Sequence, residues 1–185
     1  MTHTIPMNNE VPDRHVNHSG FTLIELLVTI AIAAILMSLA APAFQAMLLN
    51  NRMAGQTDEL TNALNYARNT ALSQSVSVKV CPVGAVSSTT CGTDWGAGWI
   101  VVSDPSGAPA LIQSKLTAAG GPVVSSTANV VFDSRGLSTT QSNFTICDSR
   151  GTTFGRSVQV VATGFVQAGN TPGTAVWATP ALSCP

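Results

Sequence analysis

The chain has 185 residues, 45% of them hydrophobic and only 9% charged, with a formal net charge of −1. That length is enough for one domain with its own core. Near-neutrality argues against a sequence-independent hold on nucleic acid, which needs clustered Lys and Arg.

Residues 1–20 are polar, with Arg14 as their only formal positive charge, and read as a disordered leader facing the cytoplasm. Cutting after Gly20 removes one basic side chain, Arg14, and two acidic ones, Glu10 and Asp13, and leaves a formally neutral chain. It also removes His3, His15 and His18, which are all the histidines present. What remains has no His-based acid–base pair, no Ser-His-Asp or Cys-His nucleophile and no His metal site, so neither a catalytic role nor a bound metal or cofactor is expected.

From Ser19 to Phe44 the sequence runs SGFTLIELLVTIAIAAILMSLAAPAF. An apolar run of about 18 or more residues is a candidate membrane helix. The run contains one carboxylate, Glu25, and a charge there costs roughly 2.5–3.5 kcal/mol on insertion scales, so it calls for a role. A secretory signal would be cut after its apolar core, and no clean A-x-A-like site follows here.

Phe21 to about Ser75 is expected to be one long helix. Its first half is apolar all round, and Pro42 within it is expected to kink or loosen it. In the second half Leu49, Met53, Leu60, Leu64, Ala67 and Ala71 recur at helical spacing and define one apolar face. Asn50, Arg52, Asp58, Glu59, Asn62 and Arg68 cover the rest. Gly55 weakens this half by about 1 kcal/mol relative to Ala.

From Val76 the period falls to two, as Val76, Val78 and Val80 alternate with Ser77 and Lys79. Further strands are expected at 98–102, 110–116, 129–132, 143–147, 157–163 and 165–167, with a turn at Asp104–Gly107. Trp95 and Trp99 read as core and rim residues. From Gly169 the tail reads as irregular. Many short strands with turn signals indicate antiparallel sheets, two of them packed face to face, so the fold class is α+β. Asp133-Ser134-Arg135-Gly136 and Asp148-Ser149-Arg150-Gly151 repeat one tetrapeptide, each directly after an apolar strand. Asp first and Gly last suit a type I turn. A sharper reading gathers Arg135, Arg150 and Arg156 into one contact for a partner.

The cysteines are Cys81, Cys91, Cys147 and Cys184. Their even number, the absence of C-x-x-C and the expected export to an oxidising compartment favour disulfides over zinc. Four cysteines allow three pairings. The favoured one joins Cys81 to Cys91, closing a small loop, and Cys147 to Cys184, pinning the tail, each worth about 2–4 kcal/mol.

Gly20-Phe21-Thr22-Leu23-Ile24-Glu25 and the apolar helix that follows resemble, in register, the processing site of type IV prepilins and pseudopilins. The globular part resembles the GspH/FimT family of minor pilins and pseudopilins. The likeness lies in Cys81-Pro82, the strand Gly98-Trp99-Ile100-Val101-Val102, the Phe132-Asp133-Ser134-Arg135-Gly136 turn and Cys147-Asp148-Ser149-Arg150-Gly151, and it spans residues 20 to about 168. It implies a long N-terminal helix packed on antiparallel sheets. It also implies cleavage after Gly20 by a membrane prepilin peptidase and methylation of the new N-terminus at Phe21. Glu25 lies one helical turn further along the same face, where it can neutralise the N-terminal ammonium of a neighbouring subunit and guide docking into a filament.

The expected division is a leader peptide at 1–20, a transmembrane and filament-core helix segment at 21–47, and a periplasmic domain at 48–185. The implied partners are other minor and major pilins, the prepilin peptidase, the inner-membrane assembly platform and the membrane itself. The implied location is a single-pass anchor in the bacterial inner membrane and then the filament. The favoured role is a minor type IV pilin that helps to initiate or cap assembly, because the pinned C-terminus resembles pilus members more than secretion members. The alternatives are a type II secretion pseudopilin and a DNA-binding minor pilin. DNA-binding relatives carry Gly-Arg-x-Arg near the C-terminal strand. The matching Gly164-Phe165-Val166-Gln167 has no arginine, which leaves Arg135, Arg150 and Arg156 as the candidate contacts for DNA or a partner.

Overall fold

A 52-residue helix, α1 (Leu23–Gln74), opens the structure. The computed structural model describes residues 20–85, 88–104, 107–169, 171–178 and 181–184. The expected leader, apart from Gly20, lies outside them, as do Pro105 and Ser106 of the expected Asp104–Gly107 turn. Helix α1 runs without interruption past Pro42. It ends where Ser75 takes a left-handed conformation, φ 55°. The Val76 N–H then donates to the Ala71 carbonyl at 3.3 Å, the long bond of a Schellman stop with serine where glycine is usual.

The chain divides into two compact units between Ala43 and Phe44. In the first, every described side chain from Phe21 to Ala43 except Ala33 is exposed. Its two embedded hydroxyl groups do not stay unpaired: Thr29 donates to the Leu26 carbonyl and Ser38 to the Ile35 carbonyl. A helix that satisfies its own polar groups and shows apolar side chains all round suits a lipid or helix-bundle surrounding.

In the second unit the rest of α1 is followed by eight strands: β1 (Ser77–Pro82), β2 (Gly98–Asp104), β3 (Ala110–Leu116), β4 (Val123–Ser125), β5 (Val130–Phe132), β6 (Ser142–Cys147), β7 (Arg156–Val160) and β8 (Val166–Ala168). They form two four-stranded antiparallel sheets, ordered β3-β2-β1-β5 and β4-β6-β7-β8. One core joins the pieces. Met53, Leu60, Leu64 and Ala67 of α1 pack with Val78, Trp99 and Phe132 of the first sheet and Phe144, Ile146 and Val158 of the second. Trp95 meets Phe144 edge to face, ring centroids 4.9 Å apart. On the other face of the first sheet, Ile100 and Val102 pack with Cys81, Val83 and Cys91.

The tail from Gly169 forms no strand among its described residues, yet it is tied to β7. The Ser157 hydroxyl donates to the Thr174 carbonyl and accepts from the Val176 N–H, and the Gly173 N–H donates to the Gly155 carbonyl. Ser157 and Gln159, on the face of β7 away from the core, are consequently buried.

Candidate functional site

The first turn of α1 holds the candidate processing and assembly residues. Gly20 and Phe21 precede the helix and are exposed. Thr22 caps it, because the Glu25 N–H donates to the Thr22 hydroxyl at 3.3 Å. Thr22 and Glu25 stand at the spacing of a capping box, and the carboxylate sits where the positive end of the helix dipole favours it. The Thr-Leu-Ile-Glu run therefore starts the helix as well as presenting an exposed carboxylate on its first turn. Sequence reasoning missed this capping role, although the threonine and the glutamate three residues on were the signal for it.

The cysteines pair as Cys81–Cys91 and Cys147–Cys184, with Cα–Cα distances of 5.6 and 5.8 Å. The first holds the loop after β1 over the outer face of β2, and the second holds the tail to the end of β6.

The two repeated tetrapeptides close in the same way. Gly136 N–H donates to the Asp133 carbonyl at 2.8 Å and Gly151 N–H to the Asp148 carbonyl at 3.1 Å. In each, the aspartate also accepts from the backbone N–H of its arginine, at 2.9 and 3.0 Å. Beyond that they diverge. Arg135 pairs with Asp133 at 3.0 Å while its side chain is 77% exposed. Arg150 pairs with Asp148 at 2.7 Å with only 16% of its side chain exposed. The Arg150 guanidinium also donates to Asn50 of α1 at 2.8 Å and lies 4.3 Å from the centre of the Phe154 ring. Both carboxyls are held below the ordinary aspartate value. At Asp133 the Leu137 backbone N–H is the main cause, with Arg135 adding to it. At Asp148 burial pushes the carboxyl up, and the hydrogen bonds from Arg150 outweigh that push.

The expected gathering of three arginines is not formed. Arg150 and Arg156 lie at one end of the β6–β7 hairpin, where Arg156 is in register with Ile146. Arg135 lies at the other end, because its turn is joined to the turn after β7: the Ser138 N–H donates to the Ala162 carbonyl. Arg68 of α1 locks that junction by donating to the Gly136 carbonyl at 3.1 Å and the Thr163 carbonyl at 3.3 Å. Nothing local in the sequence separates Arg68 from the other polar residues of the helix.

The segment from Gly164 to Gln167 turns into β8. Phe165 is 56% exposed at its tip. The Gln167 amide donates to Gln159, whose own amide donates to Asn143, a ladder across β8, β7 and β6. Phe165 and Gln167, the positions expected to match those arginines, are uncharged, and Gln167 is engaged in the sheet. No group of three His, Cys, Asp or Glu able to hold a metal occurs among the described residues.

A long N-terminal helix, exposed and apolar in its first part, with two antiparallel sheets packed on its second, defines a pilin-like protein. Residues 56–164 match the family model described as Type II transport protein GspH, and residues 16–41 match the prokaryotic N-terminal methylation motif. The chain belongs to the GspH family of minor pilins and pseudopilins. Its fold is similar to that of the type IV minor pilin FimU of Pseudomonas aeruginosa in two crystal forms. One superposes with a TM-score of 0.51 at 24% identity, covering 65% of this chain and 95% of that one. The other gives 0.51 at 22% identity, covering 63% and 91%. A comparison with curated proteins found no match.

Proposed function

We propose that this chain is a minor type IV pilin, a low-abundance subunit that helps to initiate or cap a pilus and so serves pilus biogenesis and twitching motility. One observation carries the reading: a methylation motif runs directly into a helix whose apolar side chains are exposed throughout its first unit. In this reading residues 1–20 are the leader, 21–47 the transmembrane and filament-core segment, and 48–185 the periplasmic domain. Prepilin peptidase cuts after Gly20, and Phe21 becomes the methylated N-terminus. The single-pass helix waits in the inner membrane for the assembly platform. On entry to the filament, Glu25 neutralises the N-terminal ammonium of a neighbouring minor or major pilin. The protein acts by assembly and not by catalysis, which the structural character of the family supports.

The family model's own description favours a second reading, a pseudopilin of type II secretion. The deciding measurement is the quantity of surface pili sheared from a deletion strain against its complemented parent. A strong loss supports the pilus role. Normal piliation with impaired exoprotein secretion rejects it in favour of the pseudopilin.

A further inference from the structure

Two fastenings hold the tail where it crosses the second sheet. At one, the backbone of Val176 is bound by the Ser157 hydroxyl and the Gln167 amide. At the other, Cys184 is joined to Cys147. Between them, Trp177 and Ser183 of the tail border a cavity of about 330 Å³, whose sheet side includes Ser125, Thr127, Asn143 and Thr145. That volume sits at the small end of ligand sites, which span roughly 300–1,000 Å³. Among the described residues no charged side chain lines it. Phe144 and Ile146 belong to the core, so Asn143 and Thr145, which alternate with them along β6, lie on the opposite face. The Asn143 Oδ1 accepts from the Gln159 amide at 2.9 Å, which leaves Nδ2 as a donor with no described partner. The Thr145 hydroxyl has no described partner either, and neither of these two polar atoms is closed off from solvent.

This lining selects a class of ligand. An ion entering the cavity would lose hydration and meet no opposite charge. Hydroxyls both donate and accept, and an amide N–H donates, so the sheet side suits a neutral ligand that itself carries hydroxyls. Trp177 is half-buried and adds a flat apolar surface beside them, which suits the C–H face of a sugar ring. Because the tail is tied on both sides of the cavity, its wall is in place before a ligand arrives, which lowers the ordering cost of binding. We propose that this cleft binds a neutral pyranose unit, free or within a glycan chain. Asn143 Nδ2 donates to a ring substituent, the Thr145 hydroxyl exchanges a hydrogen bond with a sugar hydroxyl, and Trp177 covers an apolar ring face. The site goes beyond the filament reading and does not depend on it.

Of the 3 tryptophans in the chain, Trp95 and Trp99 are buried, so the Trp177 indole is the natural reporter. Full-length protein labelled with ¹⁵N is held in lauryldimethylamine oxide micelles, whose headgroup carries no sugar. It is titrated with the methyl glycosides and the trisaccharides of glucose, galactose, mannose and N-acetylglucosamine, with the open-chain polyol sorbitol, and with a capped Gly-Ser-Gly-Ser peptide. The expected result is a saturable shift of the Trp177 indole and Asn143 side-chain signals with at least one sugar. A response to a methyl glycoside assigns a free sugar, and a response to a trisaccharide alone assigns a glycan chain. Thr145→Val keeps the side-chain shape and removes the hydroxyl, and is expected to weaken binding about threefold to tenfold. Trp177→Leu is expected to weaken it at least as much, and its melting temperature shows whether the tail is still in place. No response to any sugar, an equal response to sorbitol, a response to the peptide alone, or unchanged affinity in Thr145→Val overturns the assignment. Failure here leaves the piliation result untouched. Normal piliation of the deletion strain with the sugar response intact sinks the filament reading and spares this site.

Discussion

Asp133-Ser134-Arg135-Gly136 and Asp148-Ser149-Arg150-Gly151 are the same four residues used in opposite senses. At the first, the backbone is the packed part. Its glycine is buried against Leu72, its carbonyl takes the Arg68 guanidinium, and Gly164 presses on that carbonyl, while Arg135 points into solvent. At the second, the side chain is the packed part. Arg150 is enclosed by Asp148, Asn50 and Phe154, while a Cβ on Gly151 would meet nothing within 4 Å. Local chemistry sets the turn, and the neighbours decide which of its atoms are buried. An exposed ion pair contributes little, and an enclosed one is costly to break on one side only.

The largest effect that tests this contrast is expected at Gly164. A Cβ there would overlap the Gly136 carbonyl oxygen, at a φ of +76°. Gly164→Ala is expected to destabilise the protein by about 3 kcal/mol, through strain and forced backbone displacement. Thermal unfolding in detergent measures it, and a melting temperature equal to wild type would dissolve the account of the first turn. Arg150→Ala comes next, at about 2 kcal/mol, because it leaves the Asp148 carboxylate enclosed without its partner. Arg135→Ala is expected to leave the melting temperature unchanged, and equal losses at the two arginines would erase the distinction. Gly151→Ala is expected to cost about 1–3 kcal/mol from the backbone alone, because φ 79° with ψ −164° is a region essentially confined to glycine. Gly136→Ala costs more, since its Cβ also meets Leu72.

Acid titration sharpens the same comparison. Both aspartates have folded pKa values below the unfolded value of about 3.9. Their contribution is full above that pH and is lost as pH falls through the folded value. The stability gap between wild type and Asp148→Asn is therefore expected to be constant near neutrality and to close below about pH 4. A gap that widens in acid contradicts the depressed pKa. One further substitution is expected to give a gain. Ser75→Gly relieves the left-handed serine at the end of α1 and is expected to add about 0.5–1 kcal/mol.

Much of the fold could be read from periodicity. Val78 and Val80 alternate with Ser77 and Lys79 as a half-buried strand must, and Leu60, Leu64, Ala67 and Ala71 mark the face of α1 that is buried. Strand β4 was not legible, because Val123–Ser125 is too short to show a period. The strand expected at 157–163 overruns the real one, since β7 stops at Val160, where the chain turns towards Gly164. Ser157 and Gln159 are polar residues on the face of that strand away from the core, and they are buried where the tail is tied to it. The fate of the two arginines was hidden for a plainer reason. The repeats are identical, and the residue that distinguishes them, Asn50, is 100 positions away from Arg150.

Asn50 and Arg68 have a joint mechanical consequence. They stand about 27 Å apart along α1 at a rise of 1.5 Å per residue, each bound to the sheet region by a guanidinium hydrogen bond. A pull along the axis of this helix stretch loads both fastenings together, in parallel and in shear. Sliding by one helical turn would break both at once, and rolling would tear each from its carbonyl or amide acceptor. The packed half of α1 is in effect bolted at its two ends, so tension applied to the helix is handed to the sheets as a whole.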